Sequence, residues 1–127
     1  MAYPTGSGSE IIRRGAIHAQ VATQTSFKFD GTSPTTGTSS YVVPTNHIIT
    51  MLNISICELS NSNKLLTMWA LAGAVEVKFL QNVPIGPYET YIWNDRIMLH
   101  PTDKLLINSV ASASFQIYYT YIDQNWE

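Results

Sequence analysis

Phe115-Gln116-Ile117-Tyr118-Tyr119-Thr120-Tyr121 places Phe115, Ile117, Tyr119 and Tyr121 on alternate positions, with Gln116, Tyr118 and Thr120 between them. A period of two marks a strand with one buried face, here predicted to be the inner one. Upstream blocks have the same form: Val75-Glu76-Val77-Lys78-Phe79, Glu89-Thr90-Tyr91-Ile92-Trp93, Arg96-Ile97-Met98-Leu99 and Lys104-Leu105-Leu106-Ile107-Asn108. Gly, Pro, Asn, Asp or Ser separates each block from the next. That cadence predicts consecutive antiparallel strands folded into a sandwich or barrel.

The chain has 127 residues, enough for one domain with a real core and no disulfide. Hydrophobic residues make up 45 %, but charged residues only 13 %. The usual charged share is about 25 %. Ser, Thr and Asn replace the missing charge, so the surface is polar but weakly ionised. Such a surface suits a protein whose exterior is covered by partners, because charged residues are depleted from interface cores. A β-rich domain with a Ser/Thr coat is the plainer alternative.

The net charge is −2 and the pI about 5.8. No basic patch extends beyond Arg13-Arg14, which argues against nucleic acid as a partner. No apolar run approaches the ~20 residues of a helical membrane span, so no membrane partner is expected. Residues 1–9 lack the charged and apolar regions of a signal peptide, which predicts synthesis in a cytoplasm without export by that route. The single cysteine, Cys57, excludes an internal disulfide and reads as a small buried hydrophobe.

Residues 1–9, rich in Gly, Ser and Pro, read as a flexible N-terminal arm. Residues 10–127 read as one β-sandwich domain. Residues 10–22 read as a strand kinked at Gly15, where a bulge or a close backbone approach is expected. Thr25-Ser26-Phe27-Lys28-Phe29 alternates and predicts another strand. Residues 31–40 (GTSPTTGTSS) form a surface loop, and Tyr41-Val42-Val43-Pro44 opens the next element.

Residues 48–58 predict a strand with Ile48, Thr50, Leu52, Ile54 and Ile56 on the core side. Met51, Asn53, Ser55 and Cys57 then face the other way. Residues 64–71 (KLLTMWAL) fit a helix or a strand, and their place between strands favours the strand. Val75, Val77 and Phe79 are expected inward, with Glu76 and Lys78 outward. Ile97, Leu99, Leu105 and Ile107 are also expected in the core. The pattern predicts an all-β fold: an antiparallel β-sandwich of jelly-roll type with about eight strands.

A catalytic constellation is absent from the motifs. His18, His47 and His100 show no metal-ligand spacing, and only one Cys could join them. No G-x-S-x-G nucleophile elbow occurs, and Gly6-Ser7-Gly8 lacks the lysine and preceding strand of a phosphate loop. The carboxylates fall mostly in predicted turns or on outward faces, where paired acid–base work is not set up. Asp95, Asp103 and Asp123 could gather around calcium, but isolated Asp residues in hairpin turns are turn formers first. The reading is a non-enzyme without metal or cofactor.

Aromatics concentrate toward the C-terminus. Tyr91, Trp93 and Tyr118 read as exposed, which suits a protein interface or a carbohydrate-binding platform. β-Propensity and core filling explain any one of them equally well. Trp126 is a further candidate anchor on a neighbour. Arg13-Arg14 beside Ile11-Ile12, with Tyr3 from the arm, could pin residues 3–14 across a partner.

The stretches YVVPTNHIITMLNISICE and NVPIGPYETYIWNDRIMLHPTDKLLINS, followed by the Tyr-rich strand and IDQNW, carry a resemblance. Val43-Pro44, His47-Ile48, Asn53-Ile54-Ser55, Asp95-Arg96-Ile97-Met98-Leu99 and Asp103-Lys104-Leu105 are the positions concerned. Over residues 41–122 the chain resembles small β-sandwich structural proteins of tailed bacteriophages. In that group a Val-Pro strand entry and an Asn-Ile-Ser strand precede a double hairpin. The resemblance implies a non-enzymatic virion component, foremost a capsid decoration or cement protein. It implies a homo-oligomer such as a trimer, contacts with the major capsid protein or with tail and neck proteins, and residence in the virion after synthesis in the host cytoplasm. A neck, baseplate or fibre component is the alternative within the virion, and a carbohydrate-binding module the alternative outside it.

Overall fold

In a computed structural model the chain is described over residues 9–20, 24–33, 40–110 and 114–125. The strands are β1 (Ser9–Gln20), β2 (Thr25–Ser26), β3 (His47–Glu58), β4 (Lys64–Ala72), β5 (Val75–Ile85), β6 (Thr90–Trp93), β7 (Ile97–Leu99), β8 (Lys104–Val110) and β9 (Ser114–Asn125). No helix occurs among the described residues. Sheet A has the order β1-β9-β3-β6, with β7 also on β3, and sheet B has the order β2-β8-β4-β5. All pairings are antiparallel. The fold is therefore the expected antiparallel sandwich of jelly-roll type, with nine strands among the described residues.

Between most successive strands the chain crosses from one sheet to the other, which is what distinguishes a jelly roll from a meander. Among the described residues only β4 and β5 form a hairpin of neighbours in one sheet. There Ala72 pairs with Val75 across Gly73-Ala74, and Gly73 takes φ +65°, as the first loop position of a II′ turn requires. The double hairpin implied at residues 95–105 does not form. β7 joins β3 in sheet A while β8 joins β4 and β2 in sheet B. Pro101-Thr102 turns the chain between them, with the Asp103 N–H donating to His100 O. Thr102 sits there at φ +73°, a region a β-branched residue avoids.

The core lies between the sheets. Phe115, Ile117, Tyr119 and Tyr121 all point into it, as their alternation predicts. Ile97, Leu99, Leu105 and Ile107 are buried as expected. Residues 64–72 form a strand, with Leu66, Met68 and Ala70 inward. Aromatic rings fill one end: Phe27 meets Tyr119 edge-on at 4.8 Å and Phe29 meets Tyr121 at 5.1 Å. Such pairs contribute about 0.5–1.5 kcal/mol each beyond area burial.

Three local expectations change. First, residues 25–29 form a ladder only at Thr25 and Ser26, although Phe27 N still donates to Leu105 O. Beyond that, two phenols stand in for a neighbouring strand. The Tyr119 hydroxyl donates to Lys28 O at 2.8 Å and accepts from Lys28 N at 3.2 Å, and Gly31 N donates to the Tyr121 hydroxyl at 3.1 Å. This frees Phe27 and Phe29 to enter the core from an irregular segment. Likewise, residues 41–44 are not a strand; buried Val43 is held by Asp103 O and by the Thr102 N–H.

Second, β3 changes face halfway. Met51 pairs with Tyr121 and Asn53 with Thr120, so Leu52 is an extra residue in a β-bulge. Before the bulge Ile49 and Met51 face the core, and after it Ile54, Ile56 and Glu58 do. Met51 is thus fully buried, and Leu52, expected inward, is only half-buried.

Third, β5 slips twice against β4, between Leu66 and Met68 and again between Met68 and Trp69. Leu80 and Ile85 become its core residues. Val77 lies opposite Ala70 on the inner side but is 43 % exposed, and Val75 beside the turn, also expected inward, is exposed.

β1 runs straight through Gly15 in one continuous register with β9, so the expected kink is absent. The close approach is real: the Tyr119 ring occupies the space a Cβ at Gly15 would need. Residues 9–14, expected to belong to an attachment arm, are part of this ladder. Tyr3, Trp126 and loop residues 34–39 lie outside the described residues.

Candidate functional site

The pairing register sorts the candidate residues by face. On β9, Tyr118 points away from the core and is 49 % exposed. In register with it stand Ala16 on β1, Ser55 on β3 and Ile92 on β6. A second row runs Ile12, Ile122, Thr50, Met98. Between the rows lie Arg14, Thr120 and Asn53, whose Nδ2 donates to Asn94 Oδ1 at 2.6 Å. Together these residues form the outer face of sheet A.

This face has an unusual chemistry. Ile12 is 69 % exposed, Met98 61 % and Ile92 55 %. Its outward positions on β9, β3, β6 and β7 carry no Asp, Glu, Lys or Arg. The charges among its described side chains are Glu10 and Arg14, both on β1. The weak ionisation of the whole chain is therefore concentrated here. A shallow cleft of about 350 Å³ beside Tyr118 is lined by Ala16, Ile17, Ser55, Cys57, Gln116, Ile117 and Tyr118. Cys57 lines it on the outer face, the side its alternation predicts, but is half-buried and not the buried hydrophobe expected.

The remaining candidates lie elsewhere. Ile11 and Arg13 are on the core side of β1, at the open margin of the sandwich. Arg13 Nε is 3.9 Å from Asp123 Oδ2, and His47 Nδ1 donates to Asp123 Oδ1 at 2.7 Å. Asp123 thus ties β9 to both its neighbours and is neither a turn former nor exposed. Asp103 is a turn former: its carboxylate accepts from His100 N at 2.9 Å and from Gly73 N at 3.2 Å.

Tyr91 and Trp93 do not form an exposed platform. They pair with Ile56 and Ile54, whose side chains point into the core, and so turn inward themselves. The Trp93 ring lies 5.9 Å from Phe79 of the opposite sheet and closes that margin of the sandwich. Their place on the core side removes the pair from any glycan platform with Tyr118.

Ile92, Met98 and Ile122 are the face residues that the sequence reading missed. Their signal is apolar neighbours in unbroken runs: Tyr91-Ile92-Trp93, Ile97-Met98-Leu99 and Tyr121-Ile122. A strand apolar on both sides is one whose two faces are both suited to cover.

Among the described residues no group of three His, Cys, Asp or Glu is placed to hold a metal ion. Burial pushes the hydroxyl pKa values of Tyr119 and Tyr121 up, and that of Tyr41 up to about 12, so these phenols stay neutral.

No family model and no curated protein matches the chain. Among solved structures it is similar to a pilus subunit of Bacillus endospore appendages, at 13 % identity and a TM-score of 0.48, covering 100 % of this chain and 97 % of that one. It is similar to the globular domain of zebrafish complement 1qA protein at 12 % identity and a TM-score of 0.46, covering 94 % and 95 %. It is also similar to a chain of infectious bursal disease virus, strain Gx, at 9 % identity and a TM-score of 0.48, covering 94 % of this chain and 38 % of that one. At these scores the likenesses assign no activity to the chain.

Proposed function

We propose that this protein is a non-enzymatic structural subunit that works by burying the outer face of sheet A against other subunits. The observation that carries the reading is the row Ile12, Ile122, Thr50, Met98 with its companion Ala16, Tyr118, Ser55, Ile92 on a face nearly free of charge. Large side chains on such a face cost little to desolvate, and Tyr and Met are typical of interface cores. Partner binding to the folded form alone would also stabilise it by mass action.

The finer reading takes its direction from the sequence resemblance. The subunit belongs to a tailed-phage particle, foremost as a capsid decoration or cement protein. A place in the neck, baseplate or a fibre is the alternative. Low ionisation suits either position, since both surround the subunit with protein.

The test is mass by light scattering over a range of concentrations, followed by Met98→Lys and Ile92→Lys. Both residues are exposed, so the variants are expected to fold with an unchanged circular-dichroism spectrum while assembly or particle binding weakens at least tenfold. A wild-type chain that stays at 14.2 kDa when concentrated and leaves purified particles unlabelled would overturn the reading. Cryo-EM of particles separates the finer alternatives: shell-wide copies mean decoration, and density confined to the tail means the neck, baseplate or fibre.

A further inference from the structure

Sheet edges offer unpaired N–H and C=O groups, and proteins ordinarily blunt them. Three edges here are blunted. β2 is 2 residues long. β6 and β7 are 4 and 3 residues long. β5 is interrupted by two register shifts and carries Pro84. β1 is different. It is 12 residues long, holds one continuous register with β9, and contains neither bulge nor proline. Among the described residues no strand pairs with its other side.

We propose that β1 pairs edge to edge and antiparallel with β1 of a second copy of this chain, about a two-fold axis beside Ile12. The inference rests on the reading of the chain as an assembly subunit, and it names the partner and the register. A two-fold axis perpendicular to a continuous sheet keeps each side chain on its own face. The axis must therefore fall at a residue, and each choice fixes which residues meet.

The sequence Glu10-Ile11-Ile12-Arg13-Arg14 discriminates between the choices. An axis at Arg13 sets that residue against its own copy, which opposes like charges. An axis at Ile11 sets Glu10 against Ile12 of the second copy. An axis at Ile12 sets Glu10 opposite Arg14 of the second copy, and Arg14 opposite its Glu10. The two Ile12 side chains then meet at the centre. Glu10, Ile12 and Arg14 all lie on the outer face and are all exposed, so both ion pairs flank an apolar contact. Opposite charges directly across an antiparallel pair are stabilising and like charges are not. The pairing also joins the two rows Ile12, Ile122, Thr50, Met98 end to end, extending one apolar band across both molecules.

The experiment uses the full chain with Cys57→Ser, so that an added thiol is the only one. Ile12→Cys places two sulfurs across the axis, where directly paired Cβ atoms lie about 4.5–5.5 Å apart. Oxidation is expected to yield a disulfide-linked dimer, whereas Thr90→Cys on the far edge yields none. Glu10→Arg alone and Arg14→Glu alone are expected to weaken dimerisation about tenfold each, and the double reversal to restore it to within about threefold.

A multimeric wild-type chain whose Ile12→Cys form does not cross-link overturns the β1 pairing and leaves the assembly reading standing. A double reversal no better than either single one does the same. A wild-type chain monomeric at every concentration overturns both.

Discussion

Tyr119 stands directly opposite Gly15 in the ladder between β1 and β9 and lays its ring over the glycine, so that a Cβ at residue 15 would collide with the ring carbons and the hydroxyl. The ring cannot swing away. It is fully buried, and its hydroxyl is fixed at both ends to the backbone of Lys28. Gly15→Ala is therefore expected to cost about 2–3 kcal/mol and to lower the melting temperature by about 10 °C. In a Tyr119→Ala background the same change should cost nothing, and a double-mutant cycle by thermal denaturation checks the coupling.

Thr102 offers the opposite sign. It occupies the third position of the His100–Asp103 turn at φ +73°, after Pro101, where glycine is the residue a type II turn prefers. Its side chain is exposed and contributes no contact to the core. Thr102→Gly should stabilise the fold by about 1 kcal/mol, raising the melting temperature by a few degrees. A melting temperature unchanged or lower would show that the turn is not strained at this residue.

Alkaline pH should unfold the protein earlier than its charge suggests. Burial raises the hydroxyl pKa of Tyr119 and Tyr121, and that of Tyr41 to about 12, above the ordinary value near 10. The native state then binds more protons than the unfolded chain in this range, so unfolding free energy falls as pH rises. The stabilisation is complete below about pH 10 and is lost through the native pKa values above it. Melting curves between pH 8 and 12 should show the decline, and Tyr41→Phe should make it shallower. A stability flat to pH 12 would contradict the burial of these phenols.

Trp93→Ala should act on stability. The ring is half-buried against Phe79 at the margin between the sheets, so its removal should cost about 2–3 kcal/mol. Tyr118→Ala, by contrast, should leave the melting temperature within about 1 °C, since an exposed side chain on an outer face contributes little to folding. Parallel melts of the two variants separate a core aromatic from a surface one.

Alternation made the C-terminal half legible. Phe115, Ile117, Tyr119 and Tyr121 keep their phase because β9 is a central strand without a bulge, and so do Leu105 and Ile107 on β8. Phase failed where one residue was inserted. Leu52 reverses the faces of β3, and nothing in Thr50-Met51-Leu52-Asn53 marks a bulge, since it arises only against β9. The two slips in β5 are equally a property of its partner. Phe27 and Phe29 read as strand residues because their alternation is genuine, but the hydroxyls that hold their backbone come from residues some ninety positions away.

The candidate site divides in the same way. Ile12, Arg14 and Tyr118 were legible, and the structure brings them to one face. Tyr91 and Trp93 read as outward because local alternation says which residues share a side, not which side is inner. Pairing with Ile54 and Ile56 decides that.

The order of sheet A has a consequence for biosynthesis. β9 sits between β1 and β3, both of which are synthesised well before it. While the ribosome is still adding residues 59–113, both of those earlier strands lack their common neighbour. The nascent polypeptide therefore holds sticky, half-formed β-structure until β9 follows, open to chaperone capture or to misassembly between polysomes, and the sheet closes only as residues 114–125 emerge.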